Sequence, residues 1–173
     1  FDLLNLGSEP SFILQIWLTA ESPADASASF NAVCGYAFQR SVYRQWALSQ
    51  TNTGGTQLAL GINSDVSALF SPVFDRPELL TAVIKRVSAT NFEADFYLDK
   101  TLIQSGSVGS FPFVNPVVGA PSEYPSFGQM GGYGSNWKGV LHRMHLASID
   151  PLTFNAQAHI DDEYDKNYAR FVV

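Results

Sequence analysis

The chain has 173 residues, of which 46% are hydrophobic, 13% aromatic and only 15% charged, and its formal net charge is −6. Such a length and composition suit one folded domain with a sizeable core and exclude a disordered chain. The acidic balance, with no Lys/Arg cluster, excludes nucleic acid and a polybasic membrane contact as partners, and no apolar run approaches the ~20 residues that span a bilayer.

Aromatics together with 13 Gly and 9 Pro favour strands joined by tight turns over long helices. Phe1 stands inside what reads as a strand, with no signal peptide ahead of it, so a processed chain or a fragment of something larger is expected. From Ser11 to Ala20, Phe12, Leu14, Ile16 and Leu18 alternate with Ile13, Gln15 and Trp17, which predicts a strand with one strongly apolar face. The following ESPADASAS is a loop. Phe30 to Phe38 and Ser41 to Ser49 are the next expected strands, TNTGG is a turn, and Thr56 to Asn63 is a strand with Leu58 and Leu60 on one face. Cys34, the only cysteine, is expected as a small buried hydrophobe, and it excludes both an intramolecular disulfide and a Cys-based zinc site.

A loop carrying Pro72 and Pro77 leads into an alternating run, Glu78 to Ala89. The stretch from Asn91 has an apolar face of Phe92, Ala94, Phe96 and Leu98; the pattern resets at Asp99-Lys100 and resumes at Thr101 to Ser105, which predicts a hairpin with a two-residue turn. Gly106 to Gly134 reads as a long loop rich in Gly, Pro, Ser and aromatics, of the kind that often carries function. Trp137 to Ala147 is a further strand. In the terminal segment Ile160, Tyr164 and Tyr168 recur every four residues, with Lys166 and Arg170 near the end, which predicts a short helix whose cations suit its dipole. Many short strands, no βαβ alternation and one late helix imply an all-β fold: a sandwich of two antiparallel sheets.

The order FILQIWL, LLTAVIKRV, FEADFYLDKTLI, WKGVLHRMHLA and then a short acidic helix resembles the concanavalin A-like lectin/glucanase superfamily, in its laminin G-like jelly-roll branch. The matching points are Phe12 to Trp17, the hairpin Tyr97-Leu98-Asp99-Lys100, and the late strand Trp137 to Met144. The resemblance implies one jelly-roll domain over 1–173. The sequence departs from the family pattern at Lys100, where the turn glycine is customary, so Asp99 or Lys100 must take an unusual turn conformation. It departs again at His142 and Arg143, where many relatives carry acids.

Glu93, Asp95, Tyr97 and Asp99 fall on alternate positions and therefore on one side of a strand. Laminarinase-type hydrolases of the superfamily carry a third acid where Tyr97 stands here, so the row reads as a solvated strand face with Asp99 at a turn. Glu93, Asp95 and Tyr97 remain candidate ligand-binding residues. A second candidate group lies in the aromatic stretch: Tyr124, Phe127, Tyr133 and Trp137 could stack on sugar rings, with Glu123, Gln129 and Asn136 bonding hydroxyls. His142 and His145, three apart on a strand, are expected on opposite sides and so not to share a metal. IDDEYD (Ile160 to Asp165) reads as a solvated helix start, and Gly131-Gly132-Tyr133-Gly134 as a plain connection. No cofactor is required; Ca²⁺ held by loop acids such as Asp65 and Asp75 stays open.

Three readings of function follow. The first is a non-catalytic carbohydrate-binding or adhesion module that recognises a glycan or surface protein. The second is a structural domain of a surface assembly, such as a virion decoration or fibre protein, with self-association or an assembly partner. The third is a laminarinase-type glycoside hydrolase using Glu93 and Asp95. An extracellular, cell-surface or virion-surface setting fits all three.

Overall fold

A computed structural model describes residues 11–21, 30–39, 42–51, 57–63, 66–110, 126–127 and 137–172. The strands are β1 (Ser11–Ala20), β2 (Phe30–Gln39), β3 (Val42–Thr51), β4 (Gln57–Ile62), β5 (Val66–Phe70), β6 (Pro77–Arg86), β7 (Asn91–Leu98), β8 (Thr101–Ser110), β9 (Ser126–Phe127) and β10 (Gly139–Ser148), followed by the helix α1 (Ala156–Phe171). They form two five-stranded sheets, β10-β1-β6-β7-β8 and β5-β4-β3-β2-β9. Every pairing is antiparallel. The expected jelly-roll sandwich with a C-terminal helix is what forms.

Alternation decides which side chains fill the space between the sheets. Phe12, Leu14, Ile16 and Leu18 of β1, Leu80, Ala82 and Ile84 of β6, and Phe92, Ala94 and Phe96 of β7 meet Trp46, Leu48, Leu58, Leu60, Ile62 and Phe70 of the facing sheet. Cys34 lies in this core, fully buried, and burial pushes its thiol up to about 12. Gly109 stands opposite Phe92, and a Cβ there would lie 2.3 Å from the ring.

The other face of the first sheet is also covered. Ile13, Trp17, Leu79, Val83 and Tyr97 pack with Ile160, Tyr164, Tyr168 and Phe171 of α1. This is why β1 reads as almost continuously apolar: it is buried on both sides. The helix begins at Asn155, whose side chain accepts a hydrogen bond from Ala158 N (3.1 Å), and Arg170 lies in its last turn. Among the described residues no helix is long and apolar enough to cross a membrane.

Several expectations need correction. β5 lies in the segment expected as a loop; Val66, Ala68 and Phe70 alternate inward against exposed Ser67 and Leu69. β8 continues to Ser110, so the first residues of the expected long loop are strand. The acidic run Ile160 to Asp165 is not a helix start but lies within α1. Its acids are partnered: Glu163 accepts from Trp17 Nε1 (3.1 Å) and pairs with Arg143 (3.0 Å), Asp165 pairs with Lys100 (2.5 Å), and Asp162 with Lys166 (2.6 Å). The expected strand at Phe1, most of ESPADASAS and of TNTGG, and the glycines 131–134 lie outside the described residues.

Candidate functional site

A cleft of about 290 Å³ opens where the ends of three strands meet the end of α1. Its floor is the row Val140–Thr19–Pro77, side by side across β10, β1 and β6. Pro77 is tolerated there because it is the first residue of its strand. The helix supplies Tyr168, Phe171 and Val172 as the opposite wall, and the β5–β6 connection supplies Asp75 and Arg76.

Local sequence chemistry builds each part. Gly139 opens β10 with φ +150°, and a Cβ on it would stand 2.3 Å from the Thr19 carbonyl oxygen and 2.7 Å from the Trp137 ring. Only glycine lets β10 approach β1 this closely. Between Trp17 and Leu18 the β1–β10 register shifts: Trp17 faces Arg143 and Leu18 faces Leu141, leaving His142 as the extra residue of a β-bulge. The bulge overturns the expectation that His142 and His145 face apart, because the inserted residue resets the two-residue period. His142 Nε2 meets Thr19 Oγ1 (2.8 Å) and its ring stacks on Phe171 (4.8 Å), while His145 Nδ1 bonds Gln15 Oε1 (3.3 Å). Gln15 Oε1 also meets His159 Nε2 of α1 (3.3 Å), so both strand histidines face the helix layer. Burial lowers the His142 ring below the usual imidazole value and favours the neutral form at the cleft.

Asp75 takes φ +59°, a left-handed conformation that Asp accepts better than most residues, and its N–H bonds Ala20 O (2.8 Å). Arg76 Nη2 donates to Glu78 Oε1 (3.2 Å) and Asp99 Oδ2 (2.7 Å). Asp99 sits at the β7–β8 bend with φ +53°; it, rather than Lys100, takes the left-handed turn conformation. Its Oδ1 accepts from Leu79 N (3.0 Å), which fixes the hairpin to β6.

The Glu78 side chain has no exposed surface. Burial pushes its carboxyl above the ordinary 4.5, helped by the Asp99 charge and opposed by the Val73 N–H and Arg76. Burial likewise raises Asp99 above its ordinary 3.8. A raised carboxyl binds its proton more tightly when folded, so the stability linked to it is complete below the unfolded value and is lost as pH rises through the folded one. We therefore expect the Glu78 contribution to the free energy of unfolding to be lost as pH climbs above 4.5, and Glu78→Gln to flatten the pH dependence of stability there in urea titrations at stepped pH. An unchanged slope in the variant would refute the assignment.

The residues singled out in the sequence do not gather at this cleft. Glu93 is exposed on the outer face of β7. Asp95 stands opposite two residues of β8, Ser105 and Gly106, where the register shifts. Its Oδ1 accepts from Ser105 Oγ (2.6 Å) and Gly106 N (3.1 Å), and its Oδ2 pairs with Lys85 (3.6 Å). Asp95 thus fastens a bulge, and a hydrolase would need that carboxylate free. Tyr97 departs from the expected solvated face: it is 7% exposed, beneath α1, and burial, then the Asp95 charge, raises its phenol. Phe127, on β9 beside Cys34, is 56% exposed. Trp137 packs half-buried against the inter-sheet core. Tyr124, Gln129, Tyr133, Asn136, Glu123 and Asp65 lie outside the described residues. Asp75 lines the cleft, but among the described residues no group of three or more His, Cys, Asp or Glu could hold a metal ion.

No family model matches the sequence, and no curated protein matches it. The fold is similar to solved structures of a domain of the Ruminococcus gnavus IT-sialidase, its CBM40, one of them bound to α2,3-sialyllactose. The neighbours are carbohydrate-binding modules. The sialyllactose-bound structure matches with TM-score 0.54 and 13% identity over 85% of this chain and 81% of the module. The other structure of the same module gives TM-score 0.54, 13% identity, 85% and 82%. At that identity the likeness is one of fold: a lectin-like jelly-roll β-sandwich.

Proposed function

We propose that this chain is a non-catalytic carbohydrate-binding or adhesion module: a single concanavalin A-like, laminin G-like domain over 1–173, presented on an extracellular, cell or particle surface. The observation that carries the reading is the cleft. It places Phe171 and Tyr168 beside Thr19, Asp75 and His142, joining apolar ring surface to convergent polar groups as sugar-sized ligands require. The fold neighbours, one of which was bound to a glycan, support it. Binding on a glycan array, with Phe171→Ala weakening it at least about tenfold in calorimetry, is the expected result. Absence of binding to every glycan tested removes the reading.

A second reading, a structural domain of a virion or other surface assembly, is favoured by β8. This edge strand carries ten residues without a charge or a proline, and Leu102, Ile103 and Val108 on it are 46%, 45% and 57% exposed. Edges of that kind invite strand pairing with another chain. The mass of the protein in solution separates the two readings.

A further inference from the structure

We infer that the cleft selects uncharged glycans and turns away acidic ones, an inference that rests on the carbohydrate-binding reading above. Recognition of a ligand carboxylate needs a cation with free donors, best of all the two-nitrogen fork of an arginine. Arg76 is the cation in the lining. Its Nη2 is committed to both Glu78 and Asp99, and its Nε is buried. The end-on fork needs Nη2 and the side-on fork needs Nε, so each fork lacks a free member. A ligand carboxylate that takes either fork would have to displace Asp99 or Glu78 and leave that partly or fully buried acid without its cation, which is strongly unfavourable; the remaining Nη1 offers only a one-nitrogen contact.

The surrounding charge acts the same way. Arg76 faces Asp99 and Glu78, and Asp75 adds a further carboxylate to the wall. Even with Glu78 protonated, one cation then stands against two anions among the described residues here. His142, which also lines the cleft, favours its neutral form. The cations of the adjoining elements do not correct the balance. Arg143 pairs with Glu163 and Lys100 with Asp165, while Arg170 donates to Asn167 Oδ1 (3.0 Å) and does not line the cleft; nor does Lys138. A neutral sugar meets no such penalty: its hydroxyls can donate to the Asp75 carboxylate and exchange bonds with Thr19 and His142. The acidic sialyllactose found on the fold neighbour is thus the wrong class for this cleft.

The test pairs neutral glycans with their sialylated counterparts on an array, and compares lactose with α2,3-sialyllactose by calorimetry. The neutral member should bind at least about fivefold more tightly, the effect of one nearby like charge in water. High salt should narrow the gap, because the repulsion is screened. Asp75→Asn should narrow it too, and asparagine tolerates the left-handed backbone at that position. Phe171→Ala and the milder Thr19→Val, each checked for folding by circular dichroism, should weaken the neutral ligand. Equal or tighter binding of the sialylated member, lost in those cleft variants, overturns charge selection and leaves the carbohydrate reading standing. Glycan binding that ignores all three variants places the site elsewhere and overturns the inference. Failure of both members of every pair removes the carbohydrate reading itself, and this inference with it.

Discussion

Trp17→Ala should cost about 3–5 kcal/mol in urea denaturation, the usual cost of emptying a large aromatic site in a core. Trp17 is 1% exposed and forms the centre of the second apolar layer. Its ring stacks on Tyr164 at 5.5 Å and tilts against Phe171 at 5.2 Å, and its Nε1 donates to Glu163. The alanine therefore removes the seat of α1 as well as filled volume. Hydrogen exchange should show the loss: α1 amides become less protected while β2–β5 amides keep their order of protection. A cost below about 1 kcal/mol, or α1 protection unchanged relative to the strands, would refute the view that this ring holds the helix down.

Gly139→Ala should be more damaging than the same methyl addition at Gly106 or Gly109. The new Cβ meets the Thr19 carbonyl at 2.3 Å, which is backbone of a strand paired on both sides, to β6 and β10, and cannot swing aside, and the φ of +150° is strained for any L side chain. We expect a loss of about 3 kcal/mol or more, with Tm lowered by several degrees. Gly109→Ala is the control. Its obstacle, at the same 2.3 Å, is the side chain of Phe92, which can shift part of the way, so its cost should be smaller. If the two variants lose equal stability, the distinction between backbone and side-chain obstruction is wrong. Because Gly139 precedes Val140 in the floor of the cleft, the same variant should also weaken ligand binding.

Most of the strands were legible because period-two alternation is written along them. The limits of β1 match the expected ones, and Asp99 sits at the bend where the apolar pattern resets. Elements with weak patterns were harder to read. β5 is five residues long beside a proline-bearing loop, and the second half of β8 is Gly- and Ser-rich, so its membership is decided by pairing with β7 rather than by its own side chains. The histidine orientation failed for a different reason. A one-residue bulge breaks the rule used to read it, and nothing in HRMH announces the insertion. The cleft was not legible at all. Thr19, Asp75, Arg76, His142 and Phe171 come from separate segments and share no spacing; the nearest signals are Asp75, a candidate loop acid, and the four-residue repeat that includes Tyr168.

The enclosed Cys34 turns the inter-sheet core into its own reporter. With its sulfur protonated across the whole neutral range and shut away from solvent, alkylating reagents reach it only when β2 parts from its neighbours. The labelling rate of the native protein therefore clocks the opening of the second sheet, without any engineered probe.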